Sequence, residues 1–174
     1  QYFFRYMNNP KMKPFFHSSN IPNNLTKALQ EIKFKNSMFD KKHTLHWAVV
    51  KKENEEVIGE CGFEFWFRFH NRLELAYHLN PDYWGQGIIT QALAVVFKYA
   101  FDEMEVNRIE AFTILDNPAS VRVLEKLGFQ HEGVLRQYRY YQGKYQDINL
   151  FGYTRKDFYD QQGFVSRLLH KQFS

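Results

Sequence analysis

Apolar and polar residues alternate along three early stretches of the chain. Residues 44–52 (TLHWAVVKK) and 56–67 (EVIGECGFEFWF) predict two strands joined by a charged turn at Glu53–Glu56. Residues 71–79 (NRLELAYHL) predict a third, stopped by NPDYWGQG. The period then changes. From Ile88 to Phe101 the apolar residues Leu93, Val96, Phe97 and Ala100 recur at helical spacing, and residues 107–115 (NRIEAFTIL) return to a strand pattern. A well-punctuated helix follows in 116–129 (DNPASVRVLEKLGF). Asn117 can cap it, Pro118 suits its first position, Gly128 suits its stop, and Val121, Leu124 and Leu127 supply a buried stripe. Residues 129–154 predict two long strands hinged near Gly143. Residues 1–42 predict helical pieces broken by Pro10, Pro14 and Pro22, with 23–39 the strongest of them. No repeat, low-complexity tract or linker interrupts this order, which predicts a mixed α/β single domain over residues 1–174. Its parts are a helical N-terminal region (1–42), a sheet core (43–154) and a C-terminal tail (155–174).

Composition narrows the functional classes. Aromatic residues make up 18% of the chain, and because they alternate with polar positions they predict a thick core rather than a stacking surface. They do not interleave with a basic stripe, so direct nucleic-acid binding is not expected. No apolar run has the roughly eighteen residues of a membrane span, and no signal peptide is visible. A lone cysteine, Cys61, excludes an internal disulfide framework and fits a reducing cytoplasm. Its place in a strand-like run favours a buried thiol over a nucleophile. Charge is uneven: residues 1–42 hold eight Lys/Arg against two Asp/Glu, within a chain of net charge +4. That excess suits an acidic partner or anionic ligand, or is simply a solvated basic face. The chain opens at Gln1 without an initiator methionine, so some N-terminal sequence is expected to be missing.

The stretch DYWGQGIITQAL, residues 82–93, leads from a strand through Gly85-Gln86-Gly87 into a helix. Backbone N–H groups at a helix start are unpaired, and the helix dipole adds roughly half a positive charge there. Glycine lets an anion lie against those groups, although a plain tight turn has the same composition. No Gly-Lys-Ser/Thr follows, which excludes a P-loop, and the third glycine of a dinucleotide fingerprint is missing.

Three segments in order, residues 74–93, 107–129 and 132–154, resemble the GNAT superfamily of acetyl-CoA-dependent N-acetyltransferases. Within it they resemble the branch of ribosomal-protein N-terminal acetyltransferases. The similarity runs from about Trp47 to Tyr153, and residues 2–16 resemble that branch's first helical region, while its opening strand has no counterpart. The resemblance implies a central, mostly antiparallel twisted sheet, flanked by helices and splayed at the cofactor site. It implies that the backbone from Gly85 through Gln86, Gly87, Ile88 and Ile89 to Thr90 cradles the pyrophosphate of acetyl-CoA. Against the superfamily's Gln/Arg-x-x-Gly-x-Gly/Ala pattern, the chain has Trp84 at the first position, as is normal for this branch, Gly87 at the central glycine, and Ile89 where a small residue is usual. The strand ending at Leu79 would splay from its neighbour, leaving backbone groups for the pantetheine arm and acetyl carbonyl. Asn117 would bind that arm and Ser120 would lie near the thioester sulfur; Asn117 could equally be only a helix cap.

The reaction so implied is direct attack of an amine on the thioester. It requires an unprotonated amine, a donor for the oxyanion and a hydrogen bond for the departing thiolate. The backbone N–H near Leu79 is the expected oxyanion donor, and Ser120 the donor to a thiolate of pKa about 8.5. Strand alternation puts Glu74, Ala76 and His78 on one face, making Glu74 and His78 the candidate bases. A structural ion pair for Glu74 and a solvent-facing His78 remain open alternatives. Glu132 and Tyr138 have only proximity to the motifs in their favour. No metal-ligand spacing is present, so no metal is expected. The favoured acceptor is a protein or peptide N-terminus, the alternative a polyamine or aminoglycoside. A third possibility is a catalytically silent acyl-CoA-binding module. A monomer or a homodimer is expected, acting in the cytoplasm.

Overall fold

A computed structural model describes residues 1–41, 43–141 and 143–160. The alternating stretches form β1 (Leu45–Val50), β2 (Val57–Phe67) and β3 (Arg72–Leu79), and the periodic stretch forms α3 (Ile88–Asp102). Ahead of them lie α1 (Tyr2–Met7), two short 3-10 segments and α2 (Leu25–Asp40). After them come β4 (Arg108–Ile114), α4 (Pro118–Lys126), the hairpin β5 (Gln130–Tyr141) and β6 (Lys144–Thr154), and α5 (Arg155–Asp160). The region expected as a plain tail therefore begins as a helix. Phe158 on that helix stacks on Phe101 at 4.8 Å, which gives the segment an apolar reason to order; residues 161–174 lie outside the described residues.

Among the described residues, six strands form one sheet in the order β1-β2-β3-β4-β6-β5. Every pairing is antiparallel except β3 with β4. That parallel pairing covers only Arg72–Arg108, Leu73–Ile109 and Glu74–Glu110, after which the strands part. The expected splay is present and begins at Glu74.

One face of the sheet is covered by α3, whose buried residues include Leu93, Ala94, Phe97, Ala100 and Phe101. They pack with Phe63, Leu73, Ile109 and Tyr153 in the main core. Burying one such phenylalanine contributes about 1.5–3 kcal/mol, so Phe97 alone matters to stability. Cys61 is in this core at 2% exposure, and burial pushes its thiol up to about 12. It is an inert apolar group, as its strand context indicated.

α4 ends as its punctuation suggested. Gly128 has φ +91°, its N–H donates to the Glu125 carbonyl, and the Phe129 N–H reaches back to the Leu124 carbonyl. This is the double closure that a left-handed residue permits. The N-terminal region covers the opposite face of β2 and β3 with a smaller core of Phe3, Tyr6, Met7, Met12 and Ala28. Tyr141 on β5 fastens it down, its hydroxyl lying 2.7 Å from the Phe16 carbonyl oxygen.

Candidate active site

Where β3 and β4 part, a cleft of about 660 Å³ opens. Its lining joins the glycine bend (Gly85, Gly87, Ile88, Ile89, Thr90) to the start of α4 (Asn117, Ser120) and to Glu74–Leu79 of β3. The two sequence motifs, some thirty residues apart, are therefore brought together by the gap in the sheet.

The bend has the backbone that an anion cradle needs. Gly85 has φ +76° and Gly87, the N-cap of α3, has φ +79°. An L-residue is strained in that region. A Cβ built at either position meets nothing within 4 Å, so the open space beside them would be lost to a side chain. Ile89 is 9% exposed and packs into the main core, while Thr90 is buried beside it. The bulk of Ile89 is thus absorbed by core packing. Gln86 bonds back to the Asp82 carbonyl at 3.2 Å. A pyrophosphate fits this open, glycine-lined helix start, where Ile88, Ile89 and Thr90 supply first-turn N–H groups.

Leu79 is held at the strand end. The Asn80 N–H donates to the Ile58 carbonyl on β2 at 2.7 Å. Successive strand N–H groups point to opposite edges, so that of Leu79 is turned toward the gap. The Leu79 carbonyl accepts from the indole of Trp84 at 2.7 Å, which ties the strand end to the bend.

Asn117 caps α4: its Oδ1 accepts from the Ser120 N–H at 3.1 Å. Asn117 also lines the cleft, and the cap uses only its Oδ1, so capping and ligand contact are compatible. The Ser120 hydroxyl lies 2.6 Å from the Tyr77 hydroxyl, which also lies 3.3 Å from the Ser120 carbonyl oxygen. Burial pushes Tyr77 up to about 12, so it remains a neutral donor and acceptor at neutral pH. Sequence reasoning missed Tyr77, whose only signal was its place opposite Glu74 and His78 in the alternation.

The two candidate bases stand in different surroundings. Glu74 is half-buried at the fork; burial raises its carboxyl, and Arg139 and Arg72 pull the other way. His78 does not face solvent. Its side chain is 11% exposed and packs against Phe3, Tyr6 and Phe16, with ring centroids 5.5–6.5 Å away. That burial lowers its pKa to about 4, making it neutral and weakly basic at pH 7. The solvent-facing alternative failed because the N-terminal segment that covers β3 is distant in sequence. Glu132 pairs instead with Arg108, whose guanidinium holds the carboxyl below its usual range. Tyr138 stacks on Phe112 at 5.7 Å.

A second cavity, of about 760 Å³, lies under the N-terminal region. It meets the first at Ala76, Tyr77 and His78, with Phe16 and Glu64 lining both. Its walls include Glu31, Lys35, His46 and Glu60. None of these was singled out from sequence, because no motif marks them. Among the described residues, no group of three or more His, Cys, Asp or Glu is arranged to hold a metal ion, and no helix is long and apolar enough to cross a membrane.

Known proteins share this architecture. The family model described as an acetyltransferase (GNAT) domain matches residues 1–130. The uncharacterized N-acetyltransferase YoaA of Bacillus subtilis is 33% identical over 131 residues, 75% of this chain and 74% of that protein. The structure of the ribosomal-protein-S5-alanine acetyltransferase of Vibrio fischeri superposes with a TM-score of 0.78 at 24% identity, covering 89% of this chain and 87% of the other. A chimera of the Vibrio cholerae spermidine N-acetyltransferase SpeG and hSSAT gives 0.67 at 19% identity, covering 75% and 78%. The two solved neighbours act on different amines, so they support the fold without choosing an acceptor. With the parted strands, the glycine cradle and a family match over most of its length, the chain belongs to the GNAT acetyltransferases and is an N-acetyltransferase with acetyl-CoA as donor.

Proposed function

We propose that the protein acetylates the α-amino group at a protein or peptide N-terminus. The observation that carries this reading is the meeting of two cavities at Ala76–His78, one with the donor's cradle and the other open to an acceptor. The donor would lie along the first, its pyrophosphate at Gly85–Thr90, its pantetheine arm near Asn117 and its carbonyl toward the Leu79 N–H. The amine would arrive through the second. Its nitrogen forms a bond to the acetyl carbon as the carbon–sulfur bond breaks, and the ammonium proton must already have left. Ser120, positioned by Tyr77, supplies a hydrogen bond to the departing sulfur.

The ionisable groups at the meeting point favour an easily deprotonated amine. An α-amino group of pKa near 7.7–8.0 costs about 1.4 kcal/mol to deprotonate at pH 7, against about 4.6 kcal/mol for an alkylamine near 10.4. His78, at about 4, is too weak a base for the second task, and Glu74 is raised only by partial burial. The carboxylates of Glu31, Glu60 and Glu64 in the acceptor cavity favour a second reading, a polycationic small molecule such as a polyamine. An acceptor screen separates them: purified protein and acetyl-CoA are mixed with peptides of varied first residue, polyamines and aminoglycosides, and free thiol is measured. Turnover is expected with free N-termini. Turnover confined to polyamines or aminoglycosides would replace this reading with the second.

A further inference from the structure

Glu64 stands at an irregularity of β2, on the same face as Glu60, and both reach His46, which lies on β1 opposite Gly62. The β2–β3 register breaks between Phe63 and Phe65, with Phe63 opposite Leu75 and Phe65 opposite Glu74, which leaves Glu64 as the extra residue of a bulge. The Glu64 side chain reaches the junction of the two cavities, and among the described residues it is the one carboxylate that lines both. Its side chain is half-exposed, so an incoming amine can touch it.

Behind Glu64 runs a line of charged groups. Glu64 Oε2 lies 3.2 Å from His46 Nε2, and His46 Nδ1 lies 2.8 Å from Glu60 Oε1. Glu60 in turn pairs with Lys35 at 2.6 Å, and Lys35 stands 4.0 Å from Glu31 at the cavity wall. The His46 Nδ1–Glu60 contact is close but not aligned as a regular hydrogen bond. Polar contacts of this kind tighten when a substrate is seated. The arrangement is a carboxylate, an imidazole and a second, buried carboxylate in sequence. A buried acid that orients an imidazole and stabilises its charged form is a general device for moving a proton.

We propose that Glu64 takes the proton of the acceptor ammonium and passes it to His46, with Glu60 as the positioning residue that orients the imidazole and stabilises it when charged. The proposal rests on the amine-acetylation reading above and assigns its base. The steps balance. An ammonium N–H bond breaks as its proton moves to the Glu64 carboxylate, leaving a neutral amine and a carboxylic acid. That acid then gives the proton to neutral His46 Nε2, which restores the carboxylate and forms an imidazolium between Glu64 and Glu60. The imidazolium releases its proton to solvent through the open cavity before the next turnover. Glu64 as carboxylate also attracts the cationic form of the amine into the junction.

Several charged and titratable groups surround His46 and set its working range. Glu60 and Glu64 on β2, Lys35 on α2 and His78 on β3 interact with it directly, while Tyr6 on α1 and Glu31 on α2 act on Glu60, and Glu74 on β3 acts on Glu64. Burial alone would depress the imidazole, but its contacts with Glu60 and Glu64 outweigh that and raise it above the ordinary histidine value. A neutral His46 is the proton-accepting form, so activity should fall as pH drops through this raised value.

The test combines kinetics and titration on the full chain. With an Ala-initiated peptide as acceptor, the pH profile of kcat/KM is measured for wild type, Glu64→Gln, Glu64→Asp and Glu60→Gln. Glu64→Gln should lose about tenfold or more at pH 7 and recover to within about threefold at pH 9, where solvent deprotonates the amine. Glu64→Asp should retain part of the activity. Glu60→Gln should move the acid limb to lower pH, a change that a merely structural role would not produce. His46 is titrated in the same proteins by NMR, which needs no acceptor. It should titrate above the ordinary histidine value in wild type and lower in both Gln variants. An unaltered kcat/KM profile for Glu64→Gln, or a His46 titration identical in all variants, overturns the proposal. If the peptide is not acetylated, the N-terminal reading has failed instead, and the same profiles are taken on whichever amine the screen finds.

Discussion

Replacing Ser120 by alanine isolates the hydrogen bond to the leaving sulfur, and the structure sets the size of the effect. Among the described residues, the Ser120 hydroxyl has one close partner, the Tyr77 hydroxyl at 2.6 Å. The change leaves the Asn117 cap intact, because that bond uses the Ser120 backbone N–H. It also leaves the Tyr77 hydroxyl within 3.3 Å of the Ser120 carbonyl oxygen, so no buried donor is stranded and the stability loss should stay near 1 kcal/mol. The thiolate develops only in the transition state, so the cost should fall on turnover. A hydrogen bond to a charged group contributes about 1.5–3 kcal/mol, or roughly 10- to 150-fold in rate. Steady-state kcat, single-turnover acetyl transfer and calorimetric affinity for acetyl-CoA are the measurements. Tyr77→Phe should lose less, about tenfold or under, since it only frees the Ser120 hydroxyl to rotate. Unaltered single-turnover rates in Ser120→Ala would remove Ser120 from the chemistry. A fall in affinity as large as the fall in rate would make it a binding residue only.

Gly87→Glu should abolish acetyl-CoA binding by calorimetry, because it forces a side chain into a left-handed position and a negative charge into the phosphate space; unaltered affinity would mean the cradle lies elsewhere. Glu74→Gln and His78→Gln should each lower kcat/KM on an N-terminal peptide by about tenfold or less, with much of the loss recovered near pH 8.5. A thousandfold loss that higher pH leaves in place would shift the acceptor toward an alkylamine. His78 also makes the fold acid-sensitive. Burial lowers it from 6.5 to about 4 in the folded state, so between those values the unfolded chain takes up the proton that the folded one refuses. Its contribution is complete above pH 6.5 and is lost as pH falls toward 4. His78→Leu should therefore gain thermal stability relative to wild type as pH drops through that window, and a constant difference in melting temperature would contradict the burial.

Much of the architecture was legible because local signals and tertiary packing agree. The Asn117–Pro118 start and Gly128 stop of α4 are satisfied within the helix and its caps, so sequence alone could place them. The glycine bend was legible for the same reason. Glu64 was not. Alternation puts it on the face of Glu60, but no motif marks it, and the cavity junction that it lines is made by the N-terminal region and the parted strands. The burial of His78 and the line from Lys35 to His46 depend on the N-terminal region folding across β2 and β3. Those contacts span 25 to 75 residues and leave no trace in any local pattern. The pairing of Tyr77 with Ser120 is likewise a product of the sheet's parting strands.

The central claim is that the gap between β3 and β4 receives the acetyl-CoA arm, with the Leu79 N–H turned into it. Residue-resolved amide hydrogen exchange, with and without saturating acetyl-CoA, tests this directly. The Leu79 amide should slow markedly on binding, by about tenfold or more, while amides of the β5–β6 hairpin end near Gly143 stay unchanged. Binding shown by calorimetry that leaves Leu79 exchange unaltered would contradict the claim.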